Sequence, residues 1–136
     1  NMLTKEMFNS IAMEHFLEQE EKASFSNKVL FVDTEATVTQ FYLNKYFPKE
    51  KFNLIEEIIK IQNYDLMIFL EPDVKWVNDG LRNEGEEKIR KNNNVEMKKM
   101  FKDRGINFVS LGGNYSERFN KARKLVDDLF KKDKVK

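Results

Sequence analysis

Stretches in which apolar residues recur every three or four positions alternate along this chain with short, continuous apolar runs. The first kind of pattern is typical of one face of an α-helix. In residues 4–21 it is carried by Met7, Phe8, Ile11, Ala12 and Phe16. Helices are also predicted over residues 36–46 and 53–61, followed by a long charged helix over about 84–102 and a last helix that begins after Asn114.

The short apolar runs at residues 28–32, 65–71 and 106–111 are predicted strands, because they are partly β-branched and bounded by polar or turn-forming residues. Strands that alternate with helices imply crossover connections and a parallel sheet, so the expected class is α/β. Ligands of such sheets lie beyond the carboxyl ends of the strands. Polar groups follow each run there: Asp33 and Glu35, then Glu71 and Asp73, then residues 112–115.

Local signals mark several helix ends. Asn53 with Glu56, and Asn114 with Glu117, have the spacing of capping boxes. Residues 103–105 end in glycine and predict the stop of the charged helix.

Composition narrows the class of protein. A chain of 136 residues with 40% hydrophobic residues fits a single folded domain, residues 1–136. The net charge of +1 argues against nucleic acid as a partner, and the absence of cysteine excludes disulfides and thiolate metal sites. No apolar run approaches the roughly 18 residues that span a bilayer, and no signal-peptide core precedes the first helix, so we expect no membrane and a cytoplasmic location.

Asp33 and Glu35 follow the first predicted strand directly, which is where nucleotide kinases hold Mg²⁺. The alternative is that a buried strand simply ends in polar residues. Thr34 and Thr37 are better explained as helix-capping groups than as catalytic ones.

The loop after the second predicted strand carries three further candidates. Arg82, beside Gly80, could stabilise a transferring phosphoryl group, although an exposed arginine next to a glycine turn is usually only solvated. Trp76 could stack on a base or a nicotinamide ring, or anchor the loop on the core. Asp79 lies between them as a candidate substrate contact.

A phosphate-binding loop needs glycines and a lysine at fixed spacing after a strand. Gly80 and Gly85 have four residues between them, but Glu86 occupies the lysine position and no strand precedes, so the match is rejected. Gly112 and Gly113 are too short for such a loop, yet they could let an adenine approach the backbone.

Three segments together carry a family resemblance: residues 29–35 with Thr39 and Gln40 downstream, residues 64–71 running into 76–82, and residues 115–119. In order and spacing they resemble the NadR-type ribosylnicotinamide kinase domain. The resemblance implies a P-loop, Rossmann-like kinase with three layers around a parallel sheet. It also implies ATP and Mg²⁺ as cofactors and transfer of the γ-phosphate to the 5′-hydroxyl of nicotinamide riboside, which gives nicotinamide mononucleotide.

By this resemblance Asp33 takes the metal-binding position with Glu35 beside it, and Arg82 belongs to a lid of about residues 73–104. Gly113, Asn114 and Tyr115 border the adenine, and Trp76 and Asp79 lie on the substrate side of the lid.

The departure from the family is the absence of the first strand and its Gly-Lys-Ser/Thr loop. In the kinase sheet that strand lies between the strands ending at Asp33 and Glu71, so its absence leaves a slot twice the ~4.8 Å strand spacing. Unpaired backbone groups are costly. We therefore expect that the two strands pair directly, that another copy of the chain supplies the edge in a homo-oligomer, or that an N-terminal segment is missing. The chain alone is then an inactive part of a kinase, or a non-catalytic nucleotide-binding or regulatory module.

Overall fold

The computed structural model describes residues 2–50, 53–74 and 86–135. Within these ranges the chain forms helices α1 (Lys5–Phe25), α2 (Ala36–Tyr46) and α3 (Asn53–Ile61), strand β1 (Ile68–Leu70), helix α4 (Glu86–Asp103), strand β2 (Val109–Leu111) and helix α5 (Tyr115–Val135). They are distributed over two compact units, Asn1–Asn63 and Tyr64–Lys136. No helix in the described ranges is long and apolar enough to cross a lipid bilayer.

The first unit is a bundle of α1, α2 and α3 around one apolar core. Its buried members are spread over all three helices: Phe8, Ala12, Ala36, Leu43, Ile55 and Ile58. The ring of Phe8 meets Phe47 edge to face, with centroids 6.0 Å apart. Burial of this apolar surface is the main force that holds the three helices together.

The buried face of α1 is narrower than its apolar spacing predicts. Phe8 and Ala12 are buried, whereas Met7 and Ile11 are 45% and 37% exposed. Residues 7 and 11 each precede a buried position by one residue, so they lie about 100° around the helix from it, beyond the surface that α2 and α3 cover.

The expected strand at residues 28–32 is not formed, and this prediction is wrong for the isolated chain. Phe31 is 77% exposed, and positive φ angles at Lys28 (78°) and Thr34 (66°) interrupt an extended path on either side. A strand exists only where a neighbour pairs with its backbone groups. The described sheet contains β1 and β2 alone, so the direct pairing of the first two predicted strands is not formed in it.

The second unit is built on the parallel pairing of β1 with β2, in the register Ile68 to Val109 and Leu70 to Leu111. Both strands are shorter than their apolar runs. Their core contacts are aromatic: Phe69 on β1 lies 6.0 Å from Phe101 on α4 and 5.4 Å from Phe108, measured between ring centroids.

Helix α4 ends as its sequence predicts. The N–H of Gly105 donates to Lys102 O at 3.0 Å and the N–H of Ile106 to Phe101 O at 2.9 Å. With φ of +72° at Gly105, these bonds form a Schellman motif.

The parallel pair and its crossover through α4 agree with the α/β prediction for the second unit. A full sheet covered by helices on both faces is not present, since the sheet described has two strands and the remainder is mostly helical.

Candidate functional site

Parallel pairing of β1 and β2 brings the segments that follow them to the same edge of the sheet. Glu71 and Asp73 follow β1, and a glycine turn, defined here as residues 112–114, follows β2 and leads into α5. The N–H of Glu71 donates to Leu111 O at 2.8 Å, so the two segments leave the sheet side by side.

Arg118, in the first turns of α5, joins these two segments. Its Nε donates to Gly113 O at 2.8 Å, and its Nη2 donates to Glu71 O at 2.6 Å and to the Asp73 carboxylate. Only 12% of its side chain is exposed. Because the guanidinium presents its donors in one rigid plane, these contacts fix the three acceptors relative to one another.

Asp73 completes the connection from the other side. Its Oδ2 accepts from the N–H of Gly113 at 2.7 Å, while Oδ1 accepts from Arg118. The hydrogen bond from the N–H of Gly113 is the main reason that the pKa of Asp73 lies below its usual range; desolvation opposes it, and the charge and hydrogen bond of Arg118 lower the pKa further. Asp73 is therefore a carboxylate at neutral pH.

At both glycines of the turn, an added Cβ would force a neighbouring carboxylate to move. A Cβ on Gly112 would lie 2.6 Å from Asp73 Oδ2, which is closer than such atoms approach. Gly113 has φ of +95°, and a Cβ there would collide with the carboxylate of Glu117. The turn thus packs directly against two carboxylates.

The predicted capping box at the start of α5 is confirmed. The N–H of Glu117 donates to Asn114 Oδ1 at 2.9 Å, and the N–H of Asn114 donates to Glu117 Oε2 at 3.3 Å. The N–H groups of Gly113 and Asn114 are consequently both engaged within the protein. Tyr115, the third predicted adenine neighbour, is 79% exposed, so its ring is accessible to a ligand.

Glu71 is also paired. Its carboxylate accepts from Lys98 of α4, and both side chains are about three-quarters buried. The ammonium of Lys98 lies 5.4 Å from the centroid of the Phe69 ring, a distance at which the ring face attracts a cation. Both carboxylates that follow β1 therefore carry a neutralising basic partner.

A cleft of about 490 Å³ lies beside this edge, between the segment after β1 and α4. Its lining includes Pro72, Val74, Lys91, Asn94 and Val95 together with the two carboxylates. The mixture of apolar and polar groups suits a ligand of mixed character.

In the first unit, Glu35 is the N-cap of α2. Its carboxylate accepts from the N–H groups of Thr37 at 2.9 Å and Val38 at 3.1 Å, and also from Gln62 Nε2. This side chain was predicted to be a metal ligand, and the structure places both of its oxygens on amide donors. Gln62 further donates to Thr37 Oγ1 at 3.3 Å.

Asp33 is exposed and forms no hydrogen bond or ion pair with the described residues. Mg²⁺ is commonly held by one or two carboxylates, with phosphate oxygens and water completing the shell. A free carboxylate fits that role, whereas Glu35 fits it less well because its oxygens are occupied. Within the described ranges, no group of three His, Asp or Glu side chains could hold a metal ion by itself.

The predicted lid and substrate residues Trp76, Asp79 and Arg82 lie outside the described residues. Their roles therefore stay predictions.

Sequence reasoning missed the two residues that organise this edge. Asp73 was noted only as a polar group after a strand, and Arg118 only as part of the segment 115–119. One local signal was available for Arg118, because it stands one residue after the capping glutamate. Its three acceptors come from distant parts of the chain and have no local signature.

Residues 2–118 match the AAA domain family, a P-loop family, and the chain belongs to it. The chain is 32% identical over 123 residues to the trifunctional NAD biosynthesis/regulator protein NadR of Salmonella typhimurium and 31% identical over 123 residues to that of Escherichia coli. The resemblance to a NadR-type kinase-like domain is thereby confirmed.

These matches cover 90% of this chain but 30% of each relative. The chain thus spans under a third of the length of the NadR proteins that it matches.

Proposed function

We propose that this chain is part of an ATP-dependent kinase domain that phosphorylates nicotinamide riboside to nicotinamide mononucleotide. The observation that carries the proposal is the closed glycine turn at the carboxyl edge of a parallel strand pair, in a chain that matches NadR over 90% of its length. Residues 1–136 then belong to one kinase domain, with residues of about 73–104 as its lid.

In this reaction the bond between the γ-phosphorus of ATP and its bridging oxygen breaks, and a bond to the 5′-oxygen of the riboside forms. The hydroxyl proton is released and ADP leaves. Asp33 would hold Mg²⁺, which neutralises charge on the phosphate oxygens when bound. Glu35 supports this position from the start of α2, where its carboxylate fixes the backbone that follows Asp33.

The glycine turn would receive the adenine, with the exposed ring of Tyr115 available for stacking. Gly113 and Asn114 contribute shape rather than free N–H groups, because those groups are already engaged. In the lid, Arg82 would stabilise charge on the transferring phosphoryl group, and Trp76 and Asp79 would contact the riboside.

The test is phosphorylation of nicotinamide riboside by the protein that carries this sequence, with ATP binding followed by calorimetry in Mg²⁺. We expect Asp33→Asn to lower kcat by about a hundredfold, because the amide removes the charge that holds the metal. Asp65→Asn is the matched control, since Asp65 is an exposed carboxylate that precedes β1, at the end opposite to Glu71.

Equal turnover by the Asp33 variant and the native protein would reject the role of Asp33. Binding of ATP without any phosphoryl transfer would favour the alternative, a non-catalytic nucleotide-binding or regulatory module.

A further inference from the structure

We propose that Asp73 and Arg118 are positioning residues that hold the glycine turn in the shape that receives the base of the nucleotide, and so set affinity for the base. This inference rests on the proposed function and deepens it. Neither residue is needed to touch the nucleotide.

The contacts show how the turn is held. Gly113 sits between the two side chains, because its N–H donates to Asp73 and its carbonyl oxygen accepts from Arg118. Arg118 also donates to the carbonyl oxygen of Glu71. Glu71 is in turn bound to β2, because its N–H donates to Leu111 O. The path of the turn is therefore tied to the sheet at both peptide groups of Gly113.

The charges at this edge favour a base over phosphate. Arg118 is neutralised by Asp73 and Lys98 by Glu71, so these two cations are not free to receive a phosphate. The start of α5 is closed by Asn114 and by the carboxylate of Glu117, which repels anions. An uncharged, planar group is not repelled by the carboxylate of Glu117 and needs no free cation. It can stack on the exposed ring of Tyr115.

If Asp73 and Arg118 shape the site for the base, their substitution should weaken binding of the base and leave binding of the phosphate chain unchanged. Mg-ATP and inorganic tripolyphosphate share the phosphate chain, but only ATP has a base. Affinities for both are to be measured by calorimetry on the native protein, on Asp73→Asn and on Arg118→Lys, together with kcat and KM for ATP.

We expect each variant to bind ATP about tenfold more weakly, since a charge-assisted contact that shapes the turn is lost. Tripolyphosphate affinity should stay within about twofold of native, and kcat at saturating ATP likewise, because the reacting atoms are elsewhere. Asp73→Asn keeps the shape of the side chain and one acceptor oxygen, so it reports on the turn even if Arg118→Lys folds poorly.

Arg123→Lys and Asp127→Asn are matched controls. They form an exposed pair on the same helix, 4.0 Å apart, and should change neither affinity. Thermal unfolding of each variant checks that the fold is retained.

Native ATP affinity in both variants, or an equal loss of ATP and tripolyphosphate affinity, would overturn the inference, the second because it indicates a general structural defect. A native protein that binds neither ligand would instead refute the proposed function, and this inference with it.

Discussion

At the scale of single residues, two glycines share a positive φ angle but differ in the space around the position where a Cβ atom would lie. Gly105 and Gly113 have φ of +72° and +95°. Open space surrounds the Cβ position of Gly105, whereas that of Gly113 is filled by the side chain of Glu117. The two glycines therefore allow the backbone effect and the packing effect to be measured in one molecule.

We expect Gly105→Ala to reduce the free energy of unfolding by about 1 kcal/mol, through the cost of a left-handed backbone alone. Gly113→Ala should cost about 2–3 kcal/mol, because it also displaces Glu117 and opens the capping box. Urea denaturation of both variants measures the difference. Equal losses would show that the turn tolerates a side chain.

At the scale of elements, Glu35 at the start of α2 was predicted to bind a metal ion, and the structure shows it as the N-cap of the helix. Glu35 precedes the helix and accepts from Thr37 and Val38, an arrangement that satisfies N–H groups with no partner inside the helix. Sequence position could not distinguish the two roles, because a carboxylate after an apolar run suits both.

We predict that Glu35→Ala lowers the free energy of unfolding by about 1 kcal/mol, the usual loss for an N-cap. Glu57→Ala is the control, since Glu57 is an exposed partner of Lys60 on α3 and should contribute little. Denaturant unfolding compares them. A Glu35 variant as stable as the control but with weaker Mg²⁺-dependent ATP binding would favour the metal role instead.

At the scale of the whole molecule, residues 28–32 have the apolar composition of a buried strand but form no strand. Val29, Phe31 and Val32 are all exposed, at 36%, 77% and 37%. Exposed apolar side chains, on a backbone segment that pairs with neither described strand, form a surface on which another strand can add.

We expect these residues to gain a partner strand from a second copy of the chain at high protein concentration. Amide hydrogen exchange at residues 29–32 should then be slower than at Ser26 and Asn27, and Phe31→Ser should abolish the difference. Phe25→Ser, at a side chain that is 70% exposed outside the segment, is the control. Fast exchange at residues 29–32 at every protein concentration would contradict the expectation.

Sequence alone determined the features that depend on neighbouring residues. The bounds of α2, the stop at Gly105 and the capping box of Asn114 with Glu117 were all predicted, since their hydrogen bonds span a few positions. The parallel order of β1 and β2 followed from the helical crossover between them.

Tertiary structure decided the features that depend on distant residues. Whether residues 28–32 become a strand depends on a neighbour that the apolar pattern cannot supply. The bonds of Asp73 to Gly113 and Arg118 join positions 40 and 45 residues apart. Asp73 and Arg118 can form these hydrogen bonds only after the sheet and α5 have brought their partners within reach. The glycine turn was therefore predicted from the sequence, whereas the two residues that hold it were not.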